Sequence, residues 1–259
     1  MFCKTWPTCF SAITVLTIIK PFICNYSLLP IQLVFARQGS IIKIMNQLSI
    51  PQLFAVWVLP VLFAITVHEV AHGWVASKLG DNTAKMLGRL TLNPLKHIDI
   101  IGTIIVPAIL LLLGGFIFGW AKPVPINWRK LHHPKRDMAL VAIAGPLANL
   151  LMAIAWAAIA KIGSMIAPPI GTAIFDMGNA GILINLLLMI LNIIPIPPLD
   201  GSRVVSSFLS PQAALYYNRL EMWGFVILLA LLATGVLGFI IGPPVFGLRH
   251  LLLTIFGFG

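Results

Sequence analysis

Charged side chains are scarce in this sequence. Only 9% of its 259 residues are charged and seven are acidic, whereas 59% are hydrophobic and the mean hydropathy is +0.99. A soluble domain carries roughly 25% charged residues, so the composition excludes a soluble globular protein. The apolar stretches have the length of membrane helices rather than of barrel strands. The composition therefore predicts an all-α fold, a polytopic bundle of membrane helices.

Cysteine is also scarce, and the three cysteines all lie within the first 24 residues, without a CxxC motif. This excludes a disulfide framework or a cysteine-based metal site in the core. The formal net charge is +10, but there is no Lys/Arg-rich run of the kind that binds a phosphate backbone. We therefore expect no nucleic-acid partner. The basic residues lie in loops between apolar segments, where they set orientation and contact the head groups of the lipid bilayer.

Residues 1–44 differ from the rest of the chain. They are apolar, contain no acidic residue and are interrupted by Lys20, Pro21, Asn25 and Pro30. Three interpretations fit this N-terminal extension: a targeting segment, an extra span, or a misplaced start with translation beginning at Met45. We favour the last. Residues 45–259 form the remaining domain, which carries the motifs discussed below.

Apolar stretches of helical length recur through that domain. They cover residues 52–77, 100–119, 138–160, 181–194, 222–241 and 245–258. The pattern predicts about five to six membrane segments. The second contains four glycines and one proline, and strongly basic loops flank it on both sides. Because both loops favour the cytoplasmic side, we expect this segment to re-enter the membrane rather than cross it.

A metal-binding pattern lies within the first apolar stretch. The sequence HEVAH places His68 and His72 four residues apart, on one face of a helix, with Glu69 beside the first imidazole. This is the H-E-x-x-H signature of zinc hydrolases, in which the glutamate is the general base. An ionisable residue at the centre of a membrane helix costs about 2.5–3.5 kcal/mol on insertion scales. Three such groups in five positions therefore indicate a function, a zinc site, rather than chance.

A catalytic zinc site needs a third protein ligand. Asp200 is the first candidate, because it ends an apolar segment at a proline-rich break where the chain can bring a side chain back into the protein at membrane depth. His97 and Asp99 are the alternatives. Gly145, Ala148 and Asn149 are interpreted as a small-residue packing face, from which the asparagine side chain could hydrogen-bond to the site.

Two short stretches near this site, residues 88–92 (GRLTL) and 121–127 (AKPVPIN), have the composition of β-strands. Pro123 and Pro125 would confine the second stretch to a sheet edge, and an exposed edge can pair with an extended peptide. Ordinary loops explain both stretches equally well. The predicted fold is thus a membrane helical bundle with short β-strands near the active site.

HEVAH in a membrane helix, followed by NIIPIPPLDG at residues 192–201, resembles the site-2 protease family of intramembrane zinc metalloproteases. The resemblance covers about residues 55–205, and GRLTLNPLKHIDIIGT and GPLAN match its short bacterial branch, which has no PDZ domain. Ile100 stands where that branch has a proline, which leaves the shape of the local loop open.

The resemblance implies that Asp200 is the third zinc ligand and that Asn192 holds the substrate carbonyl or its oxyanion. An asparagine that caps the end of a helix is the alternative for Asn192. The resemblance also implies regulated intramembrane proteolysis of transmembrane substrates by a multi-pass enzyme of the bacterial cell membrane. A metal transporter and an inactive protease-like scaffold are the rival functions; a transporter would not need Glu69 beside the first ligand.

Overall fold

The computed structural model describes residues 50–106, 109 and 121–258. These residues are mostly helical and form no β-strand, so the predicted all-α class is confirmed. The N-terminal extension, residues 1–44, lies outside the described residues. Most of residues 107–120 also lie outside them, including the stretch that decides whether 100–119 crosses or re-enters the membrane.

The helices have the following bounds. They are α1 (Ile50–Lys78), α2 (Thr83–Met86), α3 (Pro134–Ser164), α4 (Ile170–Ile193), α5 (Asp200–Phe208), α6 (Pro211–Arg219), α7 (Glu221–Ala233) and α8 (Val236–Ile255). Short 3₁₀ turns occur at Pro94–His97 and Trp128–Lys130, and a π-helical turn at Ile100–Ile105.

Within the described residues, four helices are long and apolar enough to cross a membrane: α1, α3, α4 and α8. The pair α6 and α7 adds a fifth if it is counted as one span bent by 52°. The prediction is about five to six segments, and the part of the chain that the structure describes has four or five.

The break between the last two helices lies earlier than predicted. The predicted stretches 222–241 and 245–258 place the boundary between residues 241 and 245. Pro243 and Pro244 lie in that interval, but both are inside α8. The chain instead breaks at Gly235, whose φ of 76° is left-handed and suits glycine. Proline is tolerated within membrane helices because neighbouring groups satisfy the freed carbonyls.

Contacts divide the chain into two units: residues 1–54 with 99–120, and residues 55–98 with 121–259. In the first unit, Asp99 caps the π-helical turn, since its Oδ1 atom accepts a hydrogen bond of 2.8 Å from the Gly102 N–H. The second unit contains the long helices and the candidate site described below.

The predicted β-strands at 88–92 and 121–127 are not present, and both stretches are irregular loops. Their backbone groups bond to side chains and to backbone groups of turns rather than to another strand. The Arg89 guanidinium donates to the Lys122 carbonyl over 3.0 Å, while the N–H groups of Val124 and Asn127 donate to carboxylates. With prolines at 123 and 125, few N–H groups remain for a ladder.

Helices α3 and α4 pack closely in the core of the second unit. Ala160 of α3 is fully buried. A Cβ added to Gly178 of α4 would lie 2.7 Å from the Cα atom of Ala160. One turn along, a Cβ at Gly181 would enter the ring of Trp156. Small residues let helix backbones approach in this way in membrane proteins. The close pairing places polar groups of α3 and α4 within reach of each other.

Candidate metal centre

Two histidines of α1 form the first part of the centre. His68 and His72 lie one turn apart on the same face, and both are buried, at 8% and 7% exposure. Their Nε2 atoms are 3.0 Å apart. The predicted pairing of the two imidazoles is therefore present in the structure.

Asp200, the first residue of α5, completes a group of three. Its Oδ2 atom lies 3.1 Å from His68 Nε2 and 3.3 Å from His72 Nε2. The alternative ligands are used elsewhere: His97 Nε2 lies 2.9 Å from the Thr91 carbonyl oxygen, and Asp99 caps its own turn. Among the described residues, this is the group of three side chains whose geometry suits a metal ion.

The three donor atoms fit a zinc ion. Ligands at about 2.0–2.1 Å from a tetrahedral metal are about 3.3 Å from one another, and the three observed separations are 3.0, 3.1 and 3.3 Å. Asp200 Oδ2 is also buried without a hydrogen-bond partner in the protein. A cation between these atoms would satisfy it, and imidazole and carboxylate ligands suit zinc.

The second nitrogen of each imidazole is held by a hydrogen-bond acceptor. His72 Nδ1 lies 2.7 Å from the Val141 carbonyl oxygen on α3, and His68 Nδ1 lies 2.6 Å from Asn149 Oδ1 on the same helix. An acceptor at Nδ1 places the proton there, so the lone pair of a neutral ring lies on Nε2. Both rings therefore present Nε2 as a metal ligand, the arrangement typical of metal-binding histidines.

Gly145 of α3 leaves room for the two imidazoles. A Cβ atom at this position would overlap His72 Nε2 and would also press on His68 Cε1. The predicted packing face of α3 thus forms the wall of the centre, with Gly145 against the rings and Asn149 hydrogen-bonded to one of them.

The loop before α5 is held by α6 and α7. The Tyr217 hydroxyl donates to the Pro195 carbonyl over 2.6 Å, and Arg203 Nη2 lies 2.8 Å from Glu221 Oε1 in an ion pair. Gly224 of α7 lies so close to Pro197 that a Cβ would overlap the Pro197 carbonyl oxygen. These contacts fix the path of the chain that leads to Asp200.

Glu69 is half-buried beside the histidines. Its Oε2 atom accepts a hydrogen bond of 2.8 Å from the Val124 N–H. The Val124 side chain is buried against α1. A Cβ added to Gly73 of α1 would lie 2.8 Å from the Cγ1 atom of Val124. A carboxylate has a second oxygen with its own lone pairs, so Glu69 can take up a proton while Val124 orients it.

The buried carboxylate of Asp81 holds the other end of the same loop. It accepts hydrogen bonds from the Asn127 N–H at 2.6 Å and from the N–H and hydroxyl of Thr83. Burial alone raises the pKa of Asp81, but these hydrogen bonds and the nearby charge of Lys130 outweigh it and hold that pKa below its ordinary value of 3.8. The ionised carboxylate is therefore the form that the fold stabilises.

The chain is similar to curated proteins whose names describe zinc metalloproteases. "Putative zinc metalloprotease YwhC" of Bacillus subtilis (strain 168) is 36% identical over 203 residues, which cover 77% of this chain and 90% of the relative. The chain belongs to the site-2 protease family.

Further relatives of this site-2 protease are more distant. "Putative zinc metalloprotease Rip2" of Mycolicibacterium smegmatis is 31% identical over 178 residues, 68% of this chain and 66% of the relative. Rip2 of Mycobacterium tuberculosis (strain H37Rv) is 26% identical over 170 residues, and the chain spans 63% of its length. The chain thus spans slightly less than two thirds of each Rip2 relative. No family model and no solved structure matches it.

Asn192, the residue implied by the family resemblance to hold the substrate carbonyl, lies in the last turn of α4. Its amide nitrogen donates to the Leu188 carbonyl of the same helix over 3.0 Å, and the side chain is half-buried. The structure brings together His68, His72 and Asp200 but shows no hydrogen bond from Asn192 to them among the described residues. Its role in this site-2 protease remains a prediction.

Asn185 is a polar residue near the site that the sequence analysis missed. It lies on α4, fully buried, and its Oδ1 atom accepts a hydrogen bond of 2.9 Å from Asn149 Nδ2. A signal was available, because an asparagine in the middle of an apolar helix requires a partner. Asn185 and Asn192 are also seven residues apart, which places them on one side of α4.

Proposed function

We propose that this site-2 protease is a zinc metalloendopeptidase that hydrolyses peptide bonds within or near transmembrane helices of other proteins. One observation carries the proposal: three ligand atoms, on His68, His72 and Asp200, lie within 3.3 Å of one another in a bundle of helices that are long and apolar enough to span a membrane. A site built from such helices is accessible to substrates that are themselves in the bilayer.

His68, His72 and Asp200 would hold the zinc ion. When bound, zinc polarises a peptide carbonyl and lowers the pKa of water to about 7. The buried walls formed by α1, α3 and α5 keep bulk water away, which strengthens electrostatic interactions at the site.

Glu69 acts as the general base and acid. It takes a proton from the attacking water and later donates that proton to the amine of the leaving peptide. The hydrogen bond from the Val124 N–H holds one carboxylate oxygen in place, so that the other can exchange the proton without a large movement of the side chain.

Asn192 stabilises the substrate carbonyl oxygen as negative charge develops on it. Its amide nitrogen donates to the Leu188 carbonyl in the structure. An amide nitrogen carries two hydrogens, so one can donate to the Leu188 carbonyl while the other donates to the substrate oxygen.

The substrate is a transmembrane protein, and the enzyme is a multi-pass protein of the bacterial cell membrane whose other partner is the lipid bilayer. A helix encloses its carbonyls in i to i−4 hydrogen bonds. The substrate helix must therefore unwind before cleavage, and residues that weaken a helix near the cleaved bond should accelerate the reaction.

Co-expression with a single-span reporter protein tests this proposal. The wild-type chain should cleave the reporter within or next to its span, and Glu69→Gln should abolish cleavage while the purified protein retains zinc. Asp176→Asn is the control, because Asp176 is a buried acid of α4 that lies outside the group of three ligands. It should cleave normally.

Two results would contradict the proposal. Cleavage by Glu69→Gln at the wild-type rate would remove the assigned base. Zinc transport across vesicles by a wild-type protein that cleaves no reporter would favour a metal transporter instead.

A further inference from the structure

A line of hydrogen bonds connects α4 to the metal centre through two asparagines. Asn185 Nδ2 donates to the Gly181 carbonyl over 2.8 Å, and Asn149 Nδ2 donates to Asn185 Oδ1 over 2.9 Å. Asn149 Oδ1 then lies 2.6 Å from His68 Nδ1. Both asparagines are 0% exposed, so water does not compete for these groups.

The Gly181 carbonyl determines how the amide groups of Asn185 and Asn149 are oriented. The Gly181 carbonyl can only accept, so the amide nitrogen of Asn185 must face it and the amide oxygen must face Asn149. Asn149 therefore turns its own nitrogen toward Asn185, where that nitrogen also donates to the Ala64 carbonyl over 3.2 Å. Its oxygen is left to face the imidazole.

The last step sets the tautomer of His68. An oxygen acceptor 2.6 Å from Nδ1 requires the proton on that nitrogen, which leaves the lone pair on Nε2, toward His72 and Asp200. If the Asn149 amide were reversed, its nitrogen would face Nδ1. The imidazole proton would then move to Nε2, the atom that has to bind the metal.

We propose that Asn185 is a positioning residue for the metal centre: through Asn149 it holds His68 in the tautomer whose Nε2 atom can bind zinc. The hydrogen bonds described for the Asn185 side chain are with Gly181 and Asn149 and not with the three ligands, so it acts by orienting the Asn149 amide. The inference rests on the proposed zinc site and adds a residue of α4 that neither the HEVAH motif nor the NIIPIPPLDG motif contains.

Zinc affinity tests the inference without reference to proteolysis. The full chain is purified in detergent as wild type and variants, and zinc affinity is measured by competition with a chelator. Asn185→Leu has similar volume but no acceptor for Asn149, and it should lower the affinity by about 10-fold, the lower end of the range for losing a direct partner of a metal-bound histidine, because Asn149 keeps its own bond to the Ala64 carbonyl. Asn185→Asp in the protonated form, which burial favours, donates its O–H to the Gly181 carbonyl and offers its other oxygen to Asn149, so it should stay close to wild type.

Asn179→Leu is the matched control. Asn179 lies on the same helix and also donates to the carbonyl four residues before it, Phe175, but its oxygen accepts from Arg249 rather than from Asn149. The same substitution at this position should leave the zinc affinity unchanged. The spectrum of the cobalt-substituted proteins should change with Asn185→Leu and not with Asn179→Leu.

The outcomes separate this inference from the proposed function. Equal zinc affinity in wild type and Asn185→Leu overturns the inference and leaves the protease proposal intact, as does an equal loss in Asn185→Leu and Asn185→Asp. A wild-type protein that binds no zinc overturns both. Should Asn185→Leu fail to fold by circular dichroism, Asn185→Ala, which also lacks the acceptor, replaces it in the same comparison.

Discussion

The main-chain N–H of Val124 donates a hydrogen bond of 2.8 Å to the Oε2 atom of Glu69. A proline-rich loop thus reaches the proposed general base with a backbone group, which of the twenty residue types only proline would lack at position 124. The loop at residues 121–127 is held without being a strand, because the N–H groups of Val124 and Asn127 donate to carboxylates and that of Lys122 donates to the His97 carbonyl.

The first prediction concerns this hydrogen bond. Val124→Pro removes the donor from a loop that already contains Pro123 and Pro125. Hydrogen bonds to charged groups contribute about 1.5–3 kcal/mol, so cleavage of the reporter should fall at least about 10-fold while zinc content is unchanged. Val124→Ala keeps the N–H and is the control. An equal loss in both variants would assign the effect to the buried side chain instead.

The second prediction concerns the space beside the imidazoles. Gly145→Ala places a methyl group against His72 Nε2 and His68 Cε1, so it should strongly reduce both zinc content and cleavage. Gly247→Ala is the control, because a Cβ there meets nothing within 4 Å. In a helix that change should be neutral or stabilise the protein by about 0.5–1 kcal/mol. Normal zinc content in Gly145→Ala would show that the rings can move aside.

The third prediction concerns the carboxylate at residue 200. Asp200→Asn retains the shape of the side chain but weakens a charged oxygen ligand, so zinc should be removed by a chelator at much lower concentration and cleavage should be lost. Asp176→Asn changes another buried acid that lies outside the ligand group. It should retain zinc as the wild type does. Identical chelator curves for all three proteins would exclude Asp200 as a ligand.

The fourth prediction is a pH dependence from Asp81. Its pKa is lower in the folded protein than the ordinary value of 3.8, so its contribution to stability is complete above that value and is lost as pH falls through the folded pKa. At neutral pH, Asp81→Asn should lower the free energy of unfolding by about 1–3 kcal/mol, because buried N–H groups lose a charged acceptor.

Thermal unfolding in detergent at pH 7 and near pH 3 measures this effect. The wild type should lose more stability between the two pH values than Asp81→Asn does. Equal losses would mean that other groups account for the acid sensitivity and that the Asp81 hydrogen bonds are balanced by its burial.

The sequence predicted most of the metal centre for reasons that are local. His68 and His72 are four residues apart on a helix, and that spacing alone places two imidazoles on one face. The proline-rich break makes Asp200 the first candidate for the third ligand, ahead of His97 and Asp99, and the family resemblance implies it, but spacing alone does not reveal how it approaches α1. The structure places its Oδ2 atom within 3.3 Å of both Nε2 atoms.

Other features depended on tertiary contacts and were missed. Residues 121–127 have the composition of a strand, but their N–H groups are taken by Glu69 and Asp81, which lie far away in the sequence. Asn185 gains its role only when α4 packs against α3. The chain breaks between α7 and α8 at Gly235, where the backbone is left-handed. Pro243 and Pro244 lie inside α8 and do not end it.

The centre joins residue 72 to residue 200, so 127 positions of the chain lie between its second histidine and its aspartate. During synthesis, α1 enters the bilayer long before the aspartate leaves the ribosome. A half-made chain therefore has two imidazoles and a glutamate in the membrane but no complete set of ligands. Under the proposed function, cleavage can begin only after Asp200 has been synthesised and has reached the two histidines of α1.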